Sequence, residues 1–141
     1  TLLQLLKQLI DATPEQVRYR ISSIEMNEID DAFIAYMKQE PRIARHLHIP
    51  IQAASDEVLA AMNRPYDTAW FAQRMRDIRA QLPGISISTD MIAGFPQESD
   101  EQFAQALELV EKELRFSFTA SLIPDGIIPA PPRCPDICRI R

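Results

Sequence analysis

The sequence predicts an α/β chain in which helices alternate with parallel strands. Two observations carry this. Apolar residues recur first at helical spacing and then at alternate positions, giving the order helix–strand–helix–strand–helix–strand–helix–strand. Strands separated by helices cannot form hairpins, so they pair in parallel through right-handed crossovers. The pattern fits either part of a (β/α) barrel or a doubly wound sheet. A third observation is length. The 141 residues hold about four βα units, roughly half of the ~250 residues of a closed barrel, and the chain opens on a helix. The expectation is therefore an incomplete (β/α) barrel that is part of something larger.

The elements follow in order. Leu2, Leu3, Leu5, Leu6, Leu9 and Ile10 repeat at helical spacing, and Thr13-Pro14 ends that helix. Val17–Glu25 is short, β-branched and alternating, which predicts a strand. Asn27 is the expected cap of a helix whose apolar face is Ile29, Phe33, Ile34 and Met37. In "RHLHIPIQ", Leu47, Ile49 and Ile51 point one way and His46, His48 and Pro50 the other. Ser55 opens a short helix through Val58, Leu59 and Met62. Thr68 is the expected cap of a longer one through Phe71, Met75, Ile78 and Leu82. "GISISTDMIAGFP" reads as a strand closed by a Gly-Phe-Pro turn. Ser99 starts a helix with Glu101 and Gln102 in its first turn and Phe103, Leu107 and Val110 facing inward. "RFSFTA" begins a further strand.

Composition narrows the function. The chain is 46% hydrophobic and 25% charged, as in globular domains, and its net charge of −5 offers no basic surface for nucleic acid. No apolar run approaches the roughly 20 residues of a membrane span, and the opening "TLLQLLKQLI" lacks the basic start of a secretory signal. A cytoplasmic location is the expectation. Two cysteines, Cys134 and Cys138, make no disulfide framework. With no third cysteine they make no iron–sulfur triplet either.

Ligands of such folds sit at the carboxyl ends of strands. Three strand ends here are polar. They are Ser22, Ser23 and Glu25; then His48, Gln52, Ser55 and Asp56; then Ser88, Thr89 and Asp90 with Gly94-Phe95-Pro96. His46 and His48 lie on one side of a strand with no third ligand spaced to join them, so hydrogen-bonded wall residues are expected rather than a metal site. No G-x-S-x-G elbow surrounds any serine, which leaves caps and strand-end hydrogen bonds as their expected roles. Asp90 is equally suited to act as a general base or to pair with a neighbour. Met62 and Met75 are expected in the core.

At these motifs the chain resembles the radical S-adenosylmethionine (radical-SAM) methylthiotransferases. "RYRISSIEMNEIDD", "PRIARHLHIPIQAASDEVLAAMNRPY" and "ISISTDMIAGFPQESDEQFAQALELVEKELRFSF" carry the resemblance, over about residues 1–119. The family pattern H-x-H-x-P-x-Q-S-G-S-D-x-V-L-x-x-M-x-R-x-Y lands on His46 to Tyr66, and S-T-D-x-I-x-G-F-P-G-E on Ser88 to Glu98. "RISSIE" resembles the branch acting on N6-threonylcarbamoyladenosine in tRNA. The resemblance implies an incomplete barrel of the radical-SAM type. It also implies S-adenosylmethionine and a [4Fe–4S] cluster as cofactors, and tRNA as partner. Gln52, Ser55 and Asp56 would lie on the nucleoside side of the cofactor pocket. Gly94, Phe95 and Pro96 would flank the adenine. Ser22, Ser23, Glu25 and His48 would line the barrel mouth, which Asp90 shares. The alternatives are another radical-SAM enzyme, or a non-catalytic α/β scaffold or partner-binding domain.

The sequence departs from the family pattern at Ala53-Ala54, where Ser-Gly is usual, at Gln97, where glycine is usual, and at Met26, where proline is usual. No C-x-x-x-C-x-x-C loop is present, so the cluster ligands are expected outside this chain. The chain alone is expected to be inactive and poorly soluble. A second unit is expected over 120–141, where five of the eleven prolines fall. Back-translated and read two bases later, suitable codons from Ser121 recover P-Y-S, R, T, A-A and M-P at family spacing. The expectation is a frameshift near residue 120, or otherwise a disordered proline-rich tail.

Overall fold

A computed structural model describes residues 1–96, 98–113 and 118–122. Helix α1 (Leu2–Asp11) is opened by Thr1, whose hydroxyl accepts from the Gln4 amide while the Gln4 side chain accepts from the Thr1 amine. Its C-terminal carbonyl at Ile10, and the Thr13 carbonyl just beyond it, accept from the Arg42 guanidinium at 2.9 and 3.2 Å, a cation placed where the helix dipole favours one. Leu6 and Ile10 are buried, whereas Leu2, Leu5 and Leu9 face outward.

The predicted strand Val17–Glu25 is not a strand. It runs parallel to its neighbour, and among the described residues its backbone pairs with it at two places. Tyr19 bridges to Ile43, and the Ile24 amide donates to the His48 carbonyl at 3.0 Å. Alternation describes which side chains turn inward; it does not guarantee a continuous ladder. A 3₁₀ turn at Met26–Glu28 follows, and α2 (Asp31–Gln39) begins later than expected. Its cap is Asp30 rather than Asn27, with the carboxylate accepting from Phe33 N–H at 2.7 Å. Phe33, Ile34 and Met37 are buried on its inner face.

β1 (His46–His48) leads through a bend to α3 (Asp56–Ala61) and α4 (Thr68–Gln81). The cap of α4 is Asp67, not Thr68: its side chain takes the Trp70 amide at 2.7 Å. β2 (Ser86–Ala93) and α5 (Asp100–Glu113) follow. Ser99 and Gln102 exchange side chain-to-backbone hydrogen bonds across the start of α5, as the sequence predicts. Among the described side chains of α5, Ala106 is buried and Phe103 and Leu107 are half-buried. The backbone of β3 (Phe118–Leu122) completes the sheet. The expected inward side chain of Val110, and Cys134 and Cys138, lie outside the described residues, as does Gln97.

The sheet order is β1-β2-β3 and both pairings are parallel. Registers are His46↔Ser86 and His48↔Ser88 on one side of β2 and Thr89↔Phe118 on the other. One face of the sheet packs on the helices in a single apolar cluster. Leu47, Ile49, Ile51, Ile87 and Met91 meet Phe33, Met37, Leu59, Phe71, Met75 and Ile78 there. Met75 is fully buried and Met62 packs against the same cluster. This is an open, partial (β/α) barrel wall: helices outside, polar strand face inside. No helix among the described residues is long and apolar enough to cross a membrane.

Candidate functional site

The inner face follows from strand alternation. Because Leu47, Ile49, Ile87, Thr89 and Met91 turn to the helices, His46, His48, Ser88 and Asp90 turn the other way. The register sets His48 opposite Ser88, and a chain of hydrogen bonds results. Ser88 Oγ lies 2.8 Å from His48 Nδ1 and 3.1 Å from His46 Nε2. His48 Nε2 lies 3.2 Å from Asp90 Oδ2, and Arg20 Nη2 lies 3.2 Å from His46 Nε2.

Proton assignment in this chain is constrained. Arginine only donates, so His46 Nε2 is an acceptor and its ring proton sits on Nδ1. The Ser88 hydroxyl then donates to His46, and the two ring nitrogens of His48 lie against Ser88 and Asp90. The contacts of His46 are satisfied by a neutral ring. Burial, the Arg20 cation and His48 together lower the His46 pKa from its ordinary value of 6.5, in keeping with the neutral ring. The histidines are thus wall residues joined through one serine. Among the described residues no group of three or more His, Cys, Asp or Glu could hold a metal ion.

Arg20, Ser22, Ser23, His46, His48 and Ser88 line a cavity of about 290 Å³ on this face. Above it, toward the strand ends, Pro50 has no N–H to give the ladder. The Thr89 hydroxyl spans the gap, donating to the Ile49 carbonyl at 2.7 Å and accepting from the Ile51 amide at 3.1 Å. Pairing resumes at Gln52, whose amide donates to Asp90 O at 3.2 Å and whose carbonyl accepts from Ile92 N–H at 2.8 Å. Gln52 does this at φ +73°, a left-handed conformation rare for a residue with a side chain. Gln52 and Asp90 therefore share one rim.

Gly94 ends β2 at φ +78°, where glycine alone is unstrained. The Glu98 carboxylate folds back onto this turn, accepting from Gly94 N–H at 2.6 Å and Phe95 N–H at 3.3 Å. Phe95 packs against the core and Pro96 is exposed. Ser55 is buried at the start of α3, where its hydroxyl makes no capping bond. Asp56 departs from the rim. Its carboxylate accepts from Thr68 N–H at 2.8 Å and lines a second cavity, of about 400 Å³, with Arg64, Tyr66 and Trp70 between α3 and α4. Glu25 is joined to Arg64 at 2.9 Å, tying the end of the extended segment 17–25 to that same connection.

Three participants are given no site role by the sequence reading. Arg20 stands two residues before Ser22, and its alternation with it was the available signal. Glu98 stands four residues after a glycine, close enough to return to the amides of the turn. Arg64 pairs with Glu25 across 39 residues, a contact no local pattern announces.

Comparison with known proteins adds three findings. The family model described as the radical SAM superfamily matches residues 2–110. The threonylcarbamoyladenosine tRNA methylthiotransferase MtaB of Thermotoga maritima is 42% identical over 112 residues, 79% of this chain and 26% of that protein. The tRNA-2-methylthio-N(6)-dimethylallyladenosine synthase of Anaeromyxobacter sp. (strain Fw109-5) is 39% identical over 130 residues, 90% of this chain and 28% of that protein. The chain thus spans about a quarter of the length of the curated relatives it matches. Among solved structures, coproporphyrinogen III oxidase (HemN) from Escherichia coli superposes with a TM-score of 0.64 over 87% of this chain and 29% of its own, at 23% identity. That likeness concerns the fold.

Proposed function

Because the chain belongs to the radical SAM superfamily, we propose that it is part of the barrel core of a tRNA methylthiotransferase acting on N6-threonylcarbamoyladenosine in the cytoplasm. The observation that carries the reading is the identity of about 40% to relatives whose names specify methylthio transfer to modified adenosines of tRNA. The polar rim supports it.

S-adenosylmethionine fits the chemistry of that rim. Its sulfonium calls for carboxylate, which Asp90 offers at the mouth, and its nucleoside for amide and backbone partners, which Gln52 and the Gly94-Phe95 turn offer. Ser55, Asp56, Pro96, Ser22, Ser23, Glu25 and His48 complete the proposed site, with Asp56 and Glu25 acting through the α3–α4 connection and Ser22, Ser23 and His48 from the inner cavity. When bound, S-adenosylmethionine supplies one-electron hydrogen abstraction and a methyl group; the protein supplies position and electrostatics. Glu98 holds the turn, His48 holds the Asp90 carboxylate, and Thr89 holds the strand ends in register. The described residues do not fit a [4Fe–4S] cluster, since they contain no thiolate set. No step is assigned to it, and the chain alone is inactive in this reading.

Two measurements test the proposal. S-adenosylmethionine titrated into the chain is expected to shift the amide resonances of Gln52, Asp90 and Gly94; shifts confined to the α3–α4 cavity or to α1 contradict it. Anaerobic reconstitution with iron and sulfide is expected to leave the chain without a stoichiometric cluster and without cofactor cleavage. Turnover by this chain would disprove the inactivity.

A further inference from the structure

The inner cavity has a composition that discriminates between two kinds of modified adenosine. Its six lining residues are Arg20, Ser22, Ser23, His46, His48 and Ser88, and no apolar side chain is among them. Arg20 has no carboxylate within ion-pair distance among the described residues; its recorded partner is a neutral histidine nitrogen at 3.2 Å. A guanidinium donates five hydrogen bonds in a planar fork matched to carboxylate, so one contact to imidazole leaves most of its capacity unused. His46 turns Nε2 to this wall, toward Arg20 and Ser88, while its Nδ1 is buried. The Ser22 and Ser23 hydroxyls are exposed on the same wall. No carboxylate is among the lining residues, and Asp90 beside them is engaged by His48 at 3.2 Å.

We infer that this cavity binds the carboxylate of a polar N6 substituent, as in N6-threonylcarbamoyladenosine, and that Arg20 selects it over an apolar dimethylallyl group. Resting on the adenosine-modifying reading above, the inference assigns the specificity of that site to its inner wall. Threonylcarbamoyl carries a carboxylate and a hydroxyl. The carboxylate meets the Arg20 fork and the hydroxyl meets Ser22 or Ser23. A dimethylallyl group would strip water from six polar side chains and return no hydrogen bond, the situation in which polar sites reject isosteres most strongly.

The test uses three probes titrated into the chain: N6-threonylcarbamoyladenosine, N6-dimethylallyladenosine and N-carbamoyl-threonine. Binding is read from the His46 ring ¹⁵N resonances and from calorimetry. The expected result is at least about ten-fold tighter binding of the threonylcarbamoyl nucleoside than of the dimethylallyl one. Arg20→Met, a substitution at an exposed position, should bring the two within about two-fold, as charge-assisted bonds to carboxylate are lost. Ser22→Ala with Ser23→Ala provides a second, milder variant that should lower the ratio in the same direction. Equal or reversed preference in the unaltered chain overturns the inference, as does a preference untouched by Arg20→Met. The adenosine reading fails separately. If N-carbamoyl-threonine shifts His46 in an Arg20-dependent way while neither nucleoside binds, the carboxylate site stands and the adenosine reading falls. If both nucleosides bind alike, the reverse holds.

Discussion

At the scale of single residues, two side chains sit in states that measurement can reach. His46 is held neutral on the inner face, with its pKa below the ordinary 6.5 for the reasons of burial, Arg20 and His48. The unfolded chain therefore takes up a proton at this position at higher pH than the folded one. The stability tied to neutral His46 is fully present above about pH 6.5 and is lost as pH falls through the lowered folded value. The melting temperature of the chain is expected to decline from pH 7 to pH 5, and His46→Gln should flatten that slope; an unchanged slope would refute it. Gln52 is the second case. A left-handed backbone costs a side-chain-bearing residue about 1–2 kcal/mol, against about 0.5–1 kcal/mol of extra chain entropy for glycine. Gln52→Gly should stabilise the chain by about 0.5–1 kcal/mol in denaturant unfolding, because the φ of +73° is then free of strain. Alternation in "RHLHIPIQ" made the inward and outward sides of this stretch legible. The left-handed turn at Gln52 was not, since it arises from the interrupted ladder that Pro50 imposes, and no residue type at 52 announces it.

At the scale of elements, the join between β1 and β2 depends on one hydroxyl. Thr89 is 1% exposed and satisfies both Ile49 O and Ile51 N–H. Thr89→Val keeps the shape and leaves two buried backbone groups unpaired, at about 1–3 kcal/mol each before relaxation. A loss of about 2–4 kcal/mol is expected in urea titration, with Thr89→Ser restoring part of it. Helices α4 and α5 and strand β2 were legible because each is long and strongly periodic. Caps were less so. Asn27 and Asp30, and likewise Asp67 and Thr68, are both cap-forming types within a few residues of one another. The choice is made by where the backbone first turns helical, which depends on the packing of Met26 and Ile29 in the core and not on the cap residue. The segment 17–25 misled for a related reason. Its alternation is real, but Arg64–Glu25 and the Tyr19 bridge hold it at intervals where a continuous ladder was expected.

At the scale of the molecule, a polar inner wall and an apolar helix side give the chain one core and one concave face. The partial barrel was legible from the βα alternation, and the meeting of polar strand ends follows from parallel pairing alone. The side-chain chain from Arg20 through Ser88 to Asp90 was not, because it needs the register. Outside the core, Leu5 is 52% and Leu9 43% exposed on one side of α1, with Leu2 beside them. Such a stripe favours association. Leu5→Glu with Leu9→Lys is expected to raise the monomer fraction in sedimentation velocity with little change in melting temperature, since neither side chain is in the core. Unaltered sedimentation would show that α1 is not the contact.

The α3–α4 cavity has one consequence of its own. Trp70, 39% exposed at its lip, stacks on Tyr66 with ring centroids 5.7 Å apart, and the chain contains no second indole. Its emission is therefore a single-address optical signal. Any event that opens the corner held by Asp67 and Arg64 changes the colour of that light, while events on the far wall of the barrel leave it dark to change, so fluorescence and histidine resonances divide the molecule between two independent observers.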